Sequence, residues 1–241
     1  MANILITGAG RGLGLGMVKQ ALASNHQVFA TVRNRTDNDN LRELEYIHGD
    51  QLQVLTLEVS GPDSIHKAAL QLESRASGLD LLINNAGINS RSGGAEEIAS
   101  NFELGKLQPQ AVLHILHVNA VAPILIAQEF LKLLKQGNQP KIINISSWFG
   151  SISEKRDGGN YSYCSSKAAL NMMTRCLAFD VLKHGIVAVA VNPGWVQTDM
   201  GGQHAALQPE ESASAILQLA QKIKTEDAGN FFDWNGSLHP W

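Results

Sequence analysis

The chain of 241 residues predicts an α/β fold, a doubly wound parallel sheet flanked by helices and formed as one domain over residues 1–241. Three observations carry this reading. Short β-branched or apolar runs alternate with longer stretches of helical pattern, the order that sets crossover helices between parallel strands. Several runs, such as Ile186-Val-Ala-Val-Ala-Val191, are apolar throughout, as expected for strands covered on both faces. Five glycines crowd into Gly8–Gly16 at the end of the first apolar run, where the chain must turn sharply into a helix.

In order, strands are expected at Asn3–Thr7, Gln27–Val32, Gln53–Val59, Leu79–Asn84, Lys141–Ser146, Ile186–Asn192 and Asn230–Trp234. Helical patterns lie between them near 13–25, 62–76, 107–136, 163–184 and 210–224. Nothing in the chain marks a linker: it has no low-complexity stretch, charge run or repeat. The irregular stretches 86–106, 147–160 and 193–209 each follow a strand. They therefore fall at the carboxyl edge of the sheet, where open α/β sheets bind ligands.

Composition narrows the function classes. Hydrophobic residues make up 44% and charged residues 17%, as in ordinary globular proteins. A formal charge of −3 gives no reason to expect nucleic acid or an anionic membrane as partner. Cys164 and Cys176 sit on one predicted helix, too far apart to bridge, so both are expected as free thiols in a reducing compartment. Ala2–Thr7 leads directly into the glycine turn, which leaves no room for a signal peptide, and no apolar run of membrane-spanning length is expected. Together these point to a soluble, cytoplasmic protein.

The glycine turn, Thr7-Gly-Ala-Gly-Arg-Gly-Leu-Gly14, reads as Gly8-x-x-x-Gly12-x-Gly14 rather than G-x-G-x-x-G. Either spacing lets a backbone approach a pyrophosphate at a helix amino terminus. A tight turn with packing glycines needs no ligand, but this density of glycine at this place favours a nucleotide. Beyond the second strand, where a carboxylate would accept from an adenosine 2′-hydroxyl, stand Arg33 and Arg35, and Arg11 lies inside the turn. Arginine suits a 2′-phosphate, so NADP(H) is preferred over NAD(H), with solvated surface arginine the competing reading, above all for Arg35.

Tyr163 and Lys167 stand four residues apart on a predicted helix and share a face. An ammonium there lowers the tyrosine pKa from about 10 and lets the side chain donate or take a proton near neutral pH. Such pairs are common on surface helices, so the pair takes its meaning from the motifs around it.

Those motifs resemble the short-chain dehydrogenase/reductase family: Thr7–Gly14, Asn84-Asn-Ala-Gly87, Tyr163 with Lys167, and Asn192-Pro-Gly194 with Thr198 appear in order over nearly the whole chain. Arg11-Gly-Leu-Gly-Leu-Gly16, Asp157-Gly-Gly159, Pro193–Gly202 and the terminal Trp241 are similar to sniffer-type carbonyl reductases and C-factor-like proteins. The resemblance implies a Rossmann-like fold and NADPH-dependent hydride transfer to an aldehyde, ketone or quinone, with no metal. In that reading Tyr163 is the general acid/base, Lys167 its electrostatic partner and a ribose ligand, and Ser147 the carbonyl's hydrogen-bond donor, with Ser146 a rival; oxidation of an alcohol is the alternative direction. The spacing from Ser147 to Tyr163 is longer than the family's, which implies a modified substrate loop at 151–160.

Asn119 matches the family's fourth catalytic residue, and Pro123 supplies a reason. Proline has no N–H for the carbonyl four residues back, so the Asn119 carbonyl is released to hold a proton-relaying water; a simple kink is the alternative. For the cofactor, the resemblance assigns Gly8, Gly10, Arg11, Gly12, Leu13 and Gly14 to the phosphates. Arg33, Glu58, Val59, Asn85, Ala86 and Gly87 fall to the adenosine side. Pro193, Gly194, Val196 and Thr198 join Tyr163 and Lys167 at the nicotinamide end.

The helices 107–136 and 163–184 resemble those through which family members dimerise, implying a homodimer. An NADP(H)-binding signalling or regulatory protein of C-factor type is the alternative to an enzyme. His114 and His117 share a helix face without an acidic or thiol partner, and are read as packing or surface residues. Cys164 is read as structural. Trp148, Phe149, Trp195 and Met200 either wall an apolar substrate pocket or cap the core.

Overall fold

The computed structural model describes residues 1–36, 38–89 and 103–241. Residues 90–102 of the predicted 86–106 loop lie outside the described residues. Seven strands form one sheet: β1 (Asn3–Ile6), β2 (Gln27–Val32), β3 (Leu52–Thr56), β4 (Leu81–Asn84), β5 (Lys141–Ile145), β6 (Val187–Asn192) and β7 (Phe231–Asp233). Their order is β3-β2-β1-β4-β5-β6-β7, and every pairing is parallel. The order reverses between β1 and β4, with Ile6 paired to both Ala30 and Ile83. That switch point opens a crevice at the carboxyl ends of β1 and β4.

Alternation along each strand feeds two cores. Ile4 and Ile6 of β1, with Val28, Ala30 and Val32 of β2, pack on α1 (Gly12–Ala23) and on Ile216 of a late helix. Leu5 and Phe29 point to the other face, among Leu72, Ile126, Phe130 and Ala178. Full burial of a side chain such as Phe29 or Phe130 contributes about 1.5–3 kcal/mol. Gly16 serves packing: a methyl there would stand 3.1 Å from the Pro209 carbonyl oxygen, where α1 meets that helix.

Two elements depart from the sequence reading. Helix α2 (Asp39–His48) was not expected; it is short and mostly polar, setting Leu41 fully and Leu44 partly against the core while Tyr46 and Ile47 stay exposed. The run near 107–136 is α4 (Pro109–Leu116), a π turn (His117–Val121) and α5 (Ala122–Glu129), then a short turn of helix at Leu131–Leu134. The α3 (Pro62–Glu73), α6 (Tyr161–Leu182) and α7 (Pro209–Lys222) helices fall where the pattern puts them. Contrary to the sequence expectation, Pro109–Glu129 is long and apolar enough by composition to cross a bilayer; half of that run is buried inside the protein.

Candidate active site

The glycine turn at the end of β1 forms the floor of the crevice. Gly8 (φ +64°) and Gly12 (φ +53°) adopt the left-handed backbone. A methyl on Gly8 would lie 2.8 Å from Ala86 Cα, one on Gly12 2.9 Å from Thr198 Cγ2, and one on Gly14 would strike the Gly8 carbonyl. At Gly10 it would meet the Asn38 side chain. Leu13 buries its side chain, leaving its backbone N–H as the group on offer. Helix α1 has no side-chain cap and no acidic residue in its first turn. Its first N–H groups and the positive end of its dipole suit a pyrophosphate, so these residues fit the nucleotide that the spacing suggests.

Asn85 braces this turn. Its Nδ2 donates to the carbonyls of Thr7 (2.9 Å) and Gly8 (3.0 Å), while Thr7 Oγ1 accepts from the N–H groups of Asn85 and Ala86, both at 3.0 Å. Gly87 follows, where a Cβ would stand 3.3 Å from Asn119 Oδ1 and 3.7 Å from Lys167 Nζ.

Past β2, Arg33 is exposed and pairs with no described residue, whereas Arg35 is committed to Glu45 at 2.7 Å. Arg11 Nη1 lies 2.6 Å from Asp199 Oδ2 in an exposed ion pair. Glu58 turns its carboxylate to Ser60, accepting from its N–H (3.2 Å) and hydroxyl (2.9 Å), and Val59 is buried.

At the other end, Ser147, Tyr163, Lys167 and Asn119 converge. Tyr163 lies on the first turn of α6 and Lys167 one turn later, Nζ 5.7 Å from the tyrosine ring centroid and 2.8 Å from the Ile145 carbonyl oxygen to which it donates. Only 5% of Lys167 is exposed, and burial lowers its pKa from the usual 10.5 to about 8. Tyr163 corrects the sequence expectation. Burial of its phenol drives the pKa up to about 12; the Ser147 hydrogen bond offsets part of this, and the neighbouring Cys164 adds to it. Desolvation outweighs the ammonium, whose nearest acceptor is a backbone carbonyl.

The two serines after β5 separate cleanly. Ser146 is buried and donates to Asn171 Oδ1 at 2.6 Å, while Asn171 Nδ2 bonds the Gly150 carbonyl at 3.2 Å. Ser147 takes an N–H from Phe149 at 3.2 Å and bonds Tyr163. Asn119 sits within the π turn, where the Ala122 N–H reaches back five residues to His117. Such a widened turn one residue before Pro123 is what a missing proline N–H produces. The Asn119 side chain exchanges 2.8 Å bonds with the N–H and carbonyl of Ile88 and donates to Ser166 Oγ at 3.0 Å. It therefore also ties the start of the 86–106 stretch to α6.

The 193–209 loop covers the crevice. Gly194 is left-handed (φ +79°), Pro193 accepts from Ser212 Oγ at 2.7 Å, and buried Val196 bridges to Leu207. Thr198 Oγ1 accepts from the Gly201 N–H at 3.1 Å, and Met200 Sδ lies 3.9 Å from Tyr163 Oη. Trp148 and Trp195 are 50% and 58% exposed, so neither caps the core. Phe149 packs edge-on to Tyr163, centroids 6.2 Å apart. Met200 and Phe149 thus place apolar surface beside Tyr163. His117 bonds the Ser60 carbonyl at 3.2 Å, and both cysteines are free thiols.

Two asparagines have supporting roles that the sequence reading did not assign: Asn192, named there only within a motif, and Asn144. Asn192 Oδ1 accepts from the Trp148 N–H (3.0 Å) and the Gly194 N–H (3.2 Å), and its Nδ2 donates to Asp233 (2.7 Å), joining both active-site loops to β7. Buried Asn144 bonds Asn84 and Thr174, each at 2.8 Å. An asparagine inside or ending an otherwise apolar strand was the available signal, since a buried amide must be bonded.

A family model described as short chain dehydrogenase matches residues 2–208. The NADPH-bound carbonyl reductase from chicken fatty liver is 38% identical, with a TM-score of 0.91 over 100% of this chain and 99% of that one. The carbonyl reductase Sniffer of D. melanogaster is 36% identical, TM-score 0.91, over 100% of both chains. Among curated relatives, the C-signal of Myxococcus xanthus is 36% identical over 163 residues, 68% of this chain and 93% of that protein. With the parallel sheet, the glycine turn and the clustered serine, tyrosine, lysine and asparagine already in place, the chain belongs to the short-chain dehydrogenase/reductase family.

Proposed function

We propose that the protein is an NADPH-dependent carbonyl reductase that delivers hydride to an aldehyde, ketone or quinone and protonates the resulting oxygen from Tyr163. The observation that carries this is the meeting of Ser147, Tyr163, Lys167 and Asn119 at one end of a crevice whose other end is an uncapped, glycine-lined helix terminus. Nucleotide binding alone does not require all four. NADPH held by the α1 terminus, Asn85–Gly87, Arg11 and Arg33 would supply the hydride. Identity to NADPH-bound and other carbonyl reductases supports the cofactor and the reaction class.

The protein's own residues then act on the carbonyl oxygen. Ser147 Oγ and Tyr163 Oη donate to it and stabilise negative charge as it grows. A phenol with a pKa near 12 stays protonated at neutral pH, so it carries the proton that the carbonyl oxygen receives. Lys167 is cationic below about pH 8 and stabilises the phenolate left behind. Asn119, in its π turn, anchors the route by which solvent restores the proton. Met200, Phe149, Trp148 and Trp195 favour an apolar or aromatic carbonyl compound.

A homodimer through α4 and α6 belongs to the same reading, supported by the exposed Leu113, Met172 and Phe179 on those helices. The C-signal relative supports a signalling role as the alternative, with turnover incidental. The discriminating experiment follows NADPH and NADH oxidation at 340 nm against quinones, aldehydes and diketones. Turnover faster with NADPH is expected. Tight NADPH binding with no turnover across the panel would favour the signalling reading.

A further inference from the structure

Three consecutive residues of the 193–209 loop span the crevice. Thr198 lies against the glycine turn at Gly12, Asp199 binds Arg11, and Met200 meets the hydroxyl of Tyr163. The loop is shaped before it makes these contacts. Thr198 Oγ1 takes the Gly201 N–H at 3.1 Å, the Thr198 carbonyl takes the Gly202 N–H at 2.8 Å, and Trp195 Nε1 donates to the Gly201 carbonyl at 2.8 Å. Asp199 sits on this turn, so little freedom is lost when its carboxylate meets Arg11. Arg11 is the charged member of the glycine turn, and the turn's Gly10 stands close to Val32 at the end of β2, beside Arg33. Arg33 pairs with no described residue, whereas Arg11 is held by a carboxylate across the crevice.

We propose that Asp199 competes with the nucleotide 2′-phosphate for Arg11, so that it tunes the preference for NADPH over NADH and ties the loop carrying Met200 to the state of the cofactor site. This rests on the reading of Arg11 as a 2′-phosphate ligand. With Arg11 paired to Asp199, NADPH binds only after the pair opens, and its apparent dissociation constant rises by that factor. NADH has no 2′-phosphate to claim the guanidinium, so its affinity is independent of the exchange. When Arg11 leaves, Asp199 loses its partner and residues 198–200 lose one of their three holds on the crevice.

The strength of an exposed ion pair sets the effect. Pairs of this kind correspond to about a 2- to 5-fold change in apparent affinity, and less at high salt. The test is titration of NADPH and NADH, read by cofactor fluorescence at low and at 0.5 M salt (roughly a 4 Å screening length). Wild type, Asp199→Asn, Arg11→Met and the double variant are compared. Asp199 is an exposed loop residue, and thermal melting checks that each variant is folded.

Asp199→Asn should tighten NADPH about 2- to 5-fold and leave NADH unchanged. The gain should shrink in salt and vanish in the Arg11→Met background. Without nucleotide, Asp199→Asn should also change tryptophan emission, because Trp195 is bonded into the same loop. If Arg11→Met lowers the NADPH-to-NADH affinity ratio while Asp199→Asn leaves NADPH binding unchanged or shifts both nucleotides equally, the competition is overturned and the 2′-phosphate reading stands. If Arg11→Met leaves the ratio untouched, the 2′-phosphate reading falls and the competition with it.

Discussion

Replacing Lys167 with methionine should make the protein more stable at neutral pH while removing its activity. The lysine is 5% exposed, and burial lowers its pKa from 10.5 to about 8. At about 1.4 kcal/mol per decade, holding it charged in the folded state costs about 3 kcal/mol at pH 7. Methionine fills similar volume without charge, and the Ile145 carbonyl loses one hydrogen bond, at a cost of about 1 kcal/mol. Lys167→Met is then more stable by about 2 kcal/mol at pH 7. The sign with pH is fixed by the lowered pKa. Between about pH 8 and 10.5 the unfolded lysine still holds a proton that the folded one has released, so wild-type stability rises with pH and the penalty disappears. Urea unfolding of both proteins without nucleotide, at pH 7, 9 and 10.5, reads the difference directly. The advantage of the variant should fall from about 2 kcal/mol to about −1 kcal/mol across that range. A variant that is less stable at pH 7, or a difference that does not change with pH, would refute the desolvation account.

Gly8→Ala forces a side chain into a left-handed backbone 2.8 Å from Ala86 Cα; stability should drop by about 1–3 kcal/mol and NADPH affinity with it, measured by melting and by titration. The serines should separate by readout. Ser147→Ala should lower kcat by tenfold or more while the lost Phe149 N–H bond lowers stability by no more than about 1 kcal/mol, whereas Ser146→Ala should lower stability by about 1–3 kcal/mol through the orphaned Asn171 Oδ1, with a smaller effect on kcat. Asn119→Ala removes bonds to both polar groups of Ile88 and to Ser166; urea unfolding should show a loss of about 2–4 kcal/mol, together with slower turnover.

Much of the fold was legible because parallel strands buried on both faces write themselves as unbroken apolar runs: Val187–Asn192 is buried at every position. Helix α2 was missed although Leu41, Leu44 and Ile47 recur at helical spacing, because that pattern spans only ten mostly polar residues and Tyr46 and Ile47 stay exposed. In the site, residue types and spacing pointed to the residues that converge, but not to their environments. The Tyr163–Lys167 spacing suggested a lowered phenol pKa, whereas the pKa depends on desolvation, and tertiary burial of both groups reverses its direction. Ser146 and Ser147 are neighbours in sequence, and it is their tertiary partners, buried Asn171 for Ser146 and Tyr163 for Ser147, that tell them apart. Arg11 and Glu58 have nearer partners, Asp199 and Ser60, the former 188 residues away along the chain. Long-range pairing of that kind leaves no trace in local pattern.

The central claim is that Tyr163 donates the proton to a carbonyl oxygen. The most direct test mixes NADPH-loaded protein with a carbonyl substrate in a stopped-flow instrument and follows a single turnover at 340 nm, for wild type and Tyr163→Phe. Phenylalanine keeps the ring and its edge contact with Phe149 while removing the proton. The account predicts unchanged NADPH affinity and hydride transfer slowed by about 10²- to 10⁴-fold. Transfer slowed by less than tenfold, with NADPH binding intact, would contradict it.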